Sequence, residues 1–203
     1  MNTYAIDFET YYDKEVSIST LGSYHYLRHP QCSIYMVAIY SQEAGFAFVG
    51  EPKDLDWQRF DDAHFVAHNA SFDKACFERL QELGIVPCSL SPTWDCTADL
   101  AAFLGSGRSL AAASDELLGI HLMKATRDKM KGKTWEQSLE LGMAAELAAY
   151  CLADAKSCYE LWTRFHRSWL PSEQALSRHT RQMGERGIVV LVENRNSASP
   201  TII

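Results

Sequence analysis

The chain opens with short apolar runs and moves to longer stretches of helical periodicity. Residues 3–8 are a short apolar run ending in acid, which predicts a buried strand. Residues 10–31 are polar and turn-rich and predict a loop. Residues 33–40 and 45–49 predict the two strands of a hairpin around Ser41-Gln42-Glu43-Ala44. Phe65-Val66-Ala67 predicts another strand, leading into a helix from about Ser71 to Leu83 that Gly84 stops. Thr93-Trp94-Asp95-Cys96 begins a further element, followed by helices over 98–104 and 109–118, the second ended by Gly119. Residues 124–133 form a basic loop containing a glycine. A long helix is predicted from about Ala144 to Trp169, with Pro171 as its stop, and another from near Ser172 to Gly184 or Gly187. Strands come first, then a mixture, then mostly helices. That order predicts an α/β sandwich with a mixed sheet.

The bounds agree with one domain of ordinary size. A chain of 203 residues with 47% hydrophobic and 22% charged content is globular and long enough for a sizeable core. No apolar run approaches the roughly 20 residues that span a bilayer. Met1-Asn2-Thr3-Tyr4 begins a strand without a basic and apolar leader, so the expected location is cytoplasmic, with no membrane partner. Six cysteines form no C-x-x-C pair and read as reduced core residues. A net charge of −7 does not suit gripping duplex DNA.

The candidate chemistry lies in three short acidic contexts. Asp7 and Glu9 are two apart on a predicted strand, so both face the same way, while Phe8 points into the core. Taken alone, such a pair is an ordinary strand end with two solvated acids. Asp73 opens a helix four residues after Asn69. An acid there also favours the positive helix end, and Asn69 suits a helix cap. Tyr150 and Asp154 stand at i and i+4 on one predicted helix and share a face. Clustered carboxylates repel and raise one another's pKa, so such a cluster is usually kept because hard cations sit in it. Two such cations about 4 Å apart activate a water and stabilise a leaving oxygen. Asp95 suits a local turn or helix cap better than a metal.

These contexts together resemble a known family. Asp7-x-Glu9, Asn69-x-x-Phe72-Asp73 and Tyr150-x-x-x-Asp154 resemble the three motifs of the proofreading 3′–5′ exonuclease domain of family A, phage-type DNA polymerases. That domain belongs to the DEDD superfamily. Tyr150, with alanine at 149, matches its tyrosine branch. Further likeness covers Gly22 to Tyr26, His29-Pro30, Trp94 to Thr97, Ser109-Leu110 and Lys131-Gly132-Lys133. The resemblance implies a ribonuclease H-like fold over 1–170 and two Mg²⁺ or Mn²⁺ ions held by Asp7, Glu9, Asp73 and Asp154. It also implies a water oriented by Tyr150. Asn69 and Phe72 would contact the terminal nucleotides, and Phe8 and Thr10 would contribute through the backbone. Lys131 and Lys133 are candidates for phosphate contact. The implied substrate is a single-stranded or mismatched DNA 3′ end, cut to 5′-nucleoside monophosphates, and a separate polymerase subunit is a conceivable partner. Residues 171–203 would be a helix and tail resembling the start of a polymerase region. The alternatives are an RNA 3′ exonuclease and a non-catalytic nucleic-acid-binding domain of a truncated polymerase.

Overall fold

The computed structural model describes residues 1–122 and 128–186. Lys124 and Arg127 of the basic loop, Gly187 and the tail up to residue 203 lie outside the described residues.

The architecture is α/β, a five-stranded mixed sheet flanked by helices in the ribonuclease H-like manner that the sequence predicts. Strand β1 (Asn2–Thr10) pairs antiparallel with β2 (Ile34–Ser41), which pairs antiparallel with β3 (Phe46–Gly50). On its other side β1 runs parallel to β4 (Ala63–Ala67), and β4 runs parallel to β5 (Thr93–Cys96). The order is β3-β2-β1-β4-β5, which leaves β1 in the centre.

The pleat of β1 explains both layers. Tyr4, Ile6 and Phe8 enter one cluster with Cys76, Phe77 and Leu80 of helix α2 (Ala70–Glu82). Ala5, on the opposite face, packs with Cys158, Tyr159 and Trp162. These last residues lie on the long α6 (Ala144–Phe165). Ala5 and Ala38 on the sheet meet Cys151, Ala155 and Cys158 on α6, all fully buried or nearly so. Small side chains on both partners bring the helix backbone close to the sheet. Alternation of period two thus sends Asp7 and Glu9 to the α6 side.

Several elements depart from the sequence reading. Residues 10–31 are not all loop, because α1 spans Ile18–Leu27, broken at Gly22 with φ of 70°. Its apolar periodicity is weak, and the break in the middle hides what remains. Residues 109–118 are not one regular helix: α4 (Leu110–Ala113) widens into a π-helical turn over Ser114–Leu118 before Gly119. A helix that the sequence reading missed, α5 (Trp135–Glu140), starts at a capping box of Thr134 and Gln137. Helix α6 stops at Phe165 rather than Trp169, and a 3₁₀ turn follows. Pro171 then begins α7 (Pro171–Arg186), a first-turn position that costs proline no hydrogen bond. Helix α3 (Thr97–Phe103) follows β5 directly.

Asp95 is not a turn or helix cap. It is fully buried and accepts hydrogen bonds from His64 Nε2 (3.0 Å) and from Arg178 Nε and Nη2 (2.7 and 2.5 Å). Burial pushes its carboxyl up, but the bonds from His64 and Arg178 outweigh that and hold it below the usual carboxylate range. An acid sealed under a helix needs such partners. Among the described residues, no helix is long and apolar enough to cross a membrane.

Candidate active site

The four acids and Tyr150 meet in one open cleft of about 860 Å³ at the carboxyl ends of β1 and β4. Asp7, Glu9, Asp73, Tyr150 and Asp154 all line it, as do Phe8, Thr10, Asn69 and Phe72. Strand ends facing outward are where open α/β sheets put their ligands.

Each side chain is placed by a local feature. The β1–β2 register shifts between Glu9 and Thr10, so the strand breaks its pleat just after the acidic pair. Asp73 is 3% exposed, and its Oδ1 accepts the Phe8 N–H at 3.2 Å. That bond ties α2 to β1 across the bottom of the cleft. The Phe8 ring is core, stacked at 15° against Trp57. Thr10 is buried. The Tyr26 hydroxyl gives its proton to the Tyr11 carbonyl (2.6 Å), so Thr10 Oγ1 donates to Tyr26 at 2.8 Å. Tyr26 is therefore packing rather than a base-stacking surface. Phe72 is half-buried against Tyr26.

Asn69 occupies the N-cap position of α2, but its side chain makes no cap bond. Its φ of 91° makes it the one non-glycine residue with positive φ among the described residues. Such backbone costs of order 1–3 kcal/mol and concentrates at functional sites. The exposed amide is thereby turned to the cleft.

The electrostatics are those of crowded acids. Burial, then Glu9, Asp73 and Asp154 in turn, push the Asp7 carboxyl well above the usual range. Burial and Glu9 do the same to Asp73, against the Phe8 N–H that lowers it. The Tyr150 hydroxyl shares a hydrogen bond with Asp154, and burial followed by the charges of Asp154 and Glu9 drive its pKa far up. At neutral pH Tyr150 is thus a fixed hydroxyl, a donor to Asp154 and an acceptor for one further hydrogen, and not a base.

Three neighbours escaped the sequence reading. Cys151 is fully buried, its S–H shared between Asp7 Oδ2 at 3.5 Å and the Asp7 carbonyl at 3.6 Å. Donor atoms of Asp7, Glu9 and Cys151 lie within 4.8 Å of one another. Its position next to Tyr150 was the available signal. Arg108 is the one lysine or arginine among the described residues that line the cleft, preceding the Ser109 cap of α4. Lys131 and Lys133 are not among the lining residues. Lys133 Nζ instead donates to the Lys129 carbonyl.

His68 is the third. Its Nε2 donates to the Arg108 carbonyl (2.8 Å) and its Nδ1 accepts from Thr97 Oγ1 (3.0 Å), an arrangement that fits the neutral ring. Burial, chiefly, pulls its pKa from 6.5 down to about 4. Between those values the unfolded chain takes up a proton that the folded one refuses, so stability falls as pH drops through that window. His68→Gln is expected to flatten the dependence of the unfolding midpoint on pH over that range. Equal slopes in both proteins would remove His68 as the cause.

No protein-family model matches the chain, and no curated protein matches it.

Proposed function

We propose that the chain is a metal-dependent 3′–5′ exonuclease acting on single-stranded or mismatched DNA ends and releasing 5′-nucleoside monophosphates. The observation that carries this reading is the convergence of Asp7, Glu9, Asp73 and Asp154 on one cleft beside Tyr150. The fold and the order of the three motifs agree with the family A proofreading domain that the sequence resembles. The cytoplasm is its natural place.

The donors fit hard divalent cations. They are all carboxylate oxygens, and burial with mutual repulsion makes the bare anionic state of Asp7 and Asp73 costly. Asp7, Glu9, Asp73 and Asp154 would hold a pair of Mg²⁺ or Mn²⁺ ions. Such ions supply an activated water and relieve charge on the leaving oxygen. The chain's own residues do the rest. Tyr150, held protonated against Asp154, would accept a hydrogen bond from the attacking water and fix its direction. Asp73, tied to the Phe8 N–H, keeps α2 and β1 in register at the cleft floor. The exposed Asn69 amide and the Phe72 ring line the cleft and would contact the terminal nucleotide. Arg108 offers the cleft a positive group for a backbone phosphate.

The test is a comparison of substrates with Mn²⁺. A paired 3′ end must unpair before its terminal phosphodiester reaches the cleft, which costs a few kcal/mol unless the base is mismatched. Single-stranded and mismatched DNA should be shortened from the 3′ end faster than blunt duplex, with an apparent KM that rises with salt. Matched RNA strands run in parallel decide the nucleic acid. A preference for blunt duplex, or cleavage from the 5′ end, would overturn the reading.

A further inference from the structure

Helix α7 lies along β5 yet buries none of its side chains, and Leu176 and Met183 are exposed. Ionic and polar contacts hold it. Arg178 reaches the buried Asp95, and Arg181 and Ser177 reach Asp99 on α3. Asp99 Oδ2 accepts from Ser177 Oγ at 2.6 Å and from Arg181 Nη1 at 2.9 Å. Its other oxygen, Oδ1, accepts from Arg108 Nη2 at 2.6 Å. One carboxylate therefore joins α7 to the cation at the cleft rim.

The charges do not balance in pairs. Asp99 carries one negative charge and faces two guanidinium groups. Burial works against the carboxylate, but hydrogen bonds from Ser177, Arg108 and Arg181 hold it below the usual range. The Asp99 and Arg181 side chains are only 19% and 12% exposed, so their pair is less screened by solvent than an ordinary surface bridge. Arg108 is 62% exposed, and it both holds Asp99 and lines the cleft. While Arg181 sits on Asp99, much of that negative charge is satisfied, and the positive field of Arg108 reaches the cleft. When α7 lifts away, Asp99 has Arg108 alone to pair with, and the cleft loses that field.

We propose that Asp99 is a positioning residue through which the docking of α7 sets how much positive charge Arg108 presents to a substrate phosphate. This rests on the nuclease reading only in that the cleft receives a phosphate chain. By linkage the effect is reciprocal, so a strand bound at Arg108 also tightens α7.

A double-variant cycle on the full chain tests it. Single-turnover cleavage of a single-stranded oligonucleotide is measured with Mn²⁺ over a range of enzyme concentrations. Arg181→Gln is expected to raise the half-saturating concentration about fivefold, the low end of ordinary coupling between sites, with the maximal rate unchanged. In an Arg108→Gln background the same change should add nothing. Hydrogen exchange over residues 171–186 should slow on adding oligonucleotide to the wild type, but not to Arg108→Gln. Ser177→Ala repeats the test with a milder loss. Equal fold effects of Arg181→Gln in both backgrounds, with the wild type active, would overturn the coupling and leave the nuclease reading standing. A wild type that cleaves nothing with Mg²⁺ or Mn²⁺ would remove both.

Discussion

Asp154→Ala is expected to reduce cleavage to background, a loss of at least about 10³-fold in single-turnover rate, while Tyr150→Phe should retain activity about 10²-fold below wild type. The first size is that of removing a charge stabiliser from a preorganised site, the second that of losing one positioned proton-handling group. The structure gives the reason for the split. Asp154 belongs to the group of acids whose repulsion lifts Asp7, so under the proposed function its loss would take away a metal ligand. Tyr150 stays protonated at neutral pH and is bonded to Asp154, so its loss takes away only a hydroxyl. The phenylalanine ring keeps the side chain's bulk at the cleft wall. Rates measured at saturating Mn²⁺ check the division, and a Tyr150→Phe protein as inactive as Asp154→Ala would show that the hydroxyl does more than aim a water.

The second large effect runs against the usual direction of active-site mutations. Asp7→Asn should make the metal-free protein more stable at neutral pH. The Asp7 pKa in the folded protein stands well above its ordinary 3.8, so the folded state binds that proton more tightly than the unfolded chain does. Stability contributed by the protonated acid is lost as pH rises from 3.8 through the folded value. Above it, the ionised acid is a standing cost that asparagine does not carry. In EDTA each kcal/mol recovered should lift the melting temperature by about 2–4 °C for a chain of this size. Adding Mn²⁺ should reverse the ranking, because a cation that binds the native cage stabilises it by mass action and the variant has lost a ligand. Calorimetry with and without Mn²⁺ reads both halves. Equal shifts in the two proteins would mean that the acids hold no cation.

The parts of this molecule that were legible in its sequence are those with a strict period or a fixed spacing. The alternation Tyr4, Ile6, Phe8 against Ala5 and Asp7 gave β1 its two faces, and the structure keeps them. The spacing of Tyr150 and Asp154 put both on one face of α6, and both line the cleft. What the sequence could not show depends on distant contacts. Gly22 interrupts α1, so the helix has too short a period on either side to register. Asp95 looked like a cap because capping is local, whereas its partners His64 and Arg178 lie on β4 and α7. Arg108 sits among neighbours that give it no local signature, and Cys151 is marked only by standing next to Tyr150. Only the packing of α6 against β1, and of the 105–109 turn beside His68, brings them to the acids.

The central place of β1 has a consequence for how the protein is made. Asp154 on α6 lies far downstream of Asp7 and Glu9, so it is synthesised long after them. A half-made chain can pair β1 with β2 and β2 with β3, because those contacts are local, and it can even set Asp73 under Phe8. It cannot close the cage until α6 has emerged and settled on Ala5 and Ala38. Whatever the site cuts, the four acids are together only once α6 is docked on the sheet, so the chemistry depends on that packing.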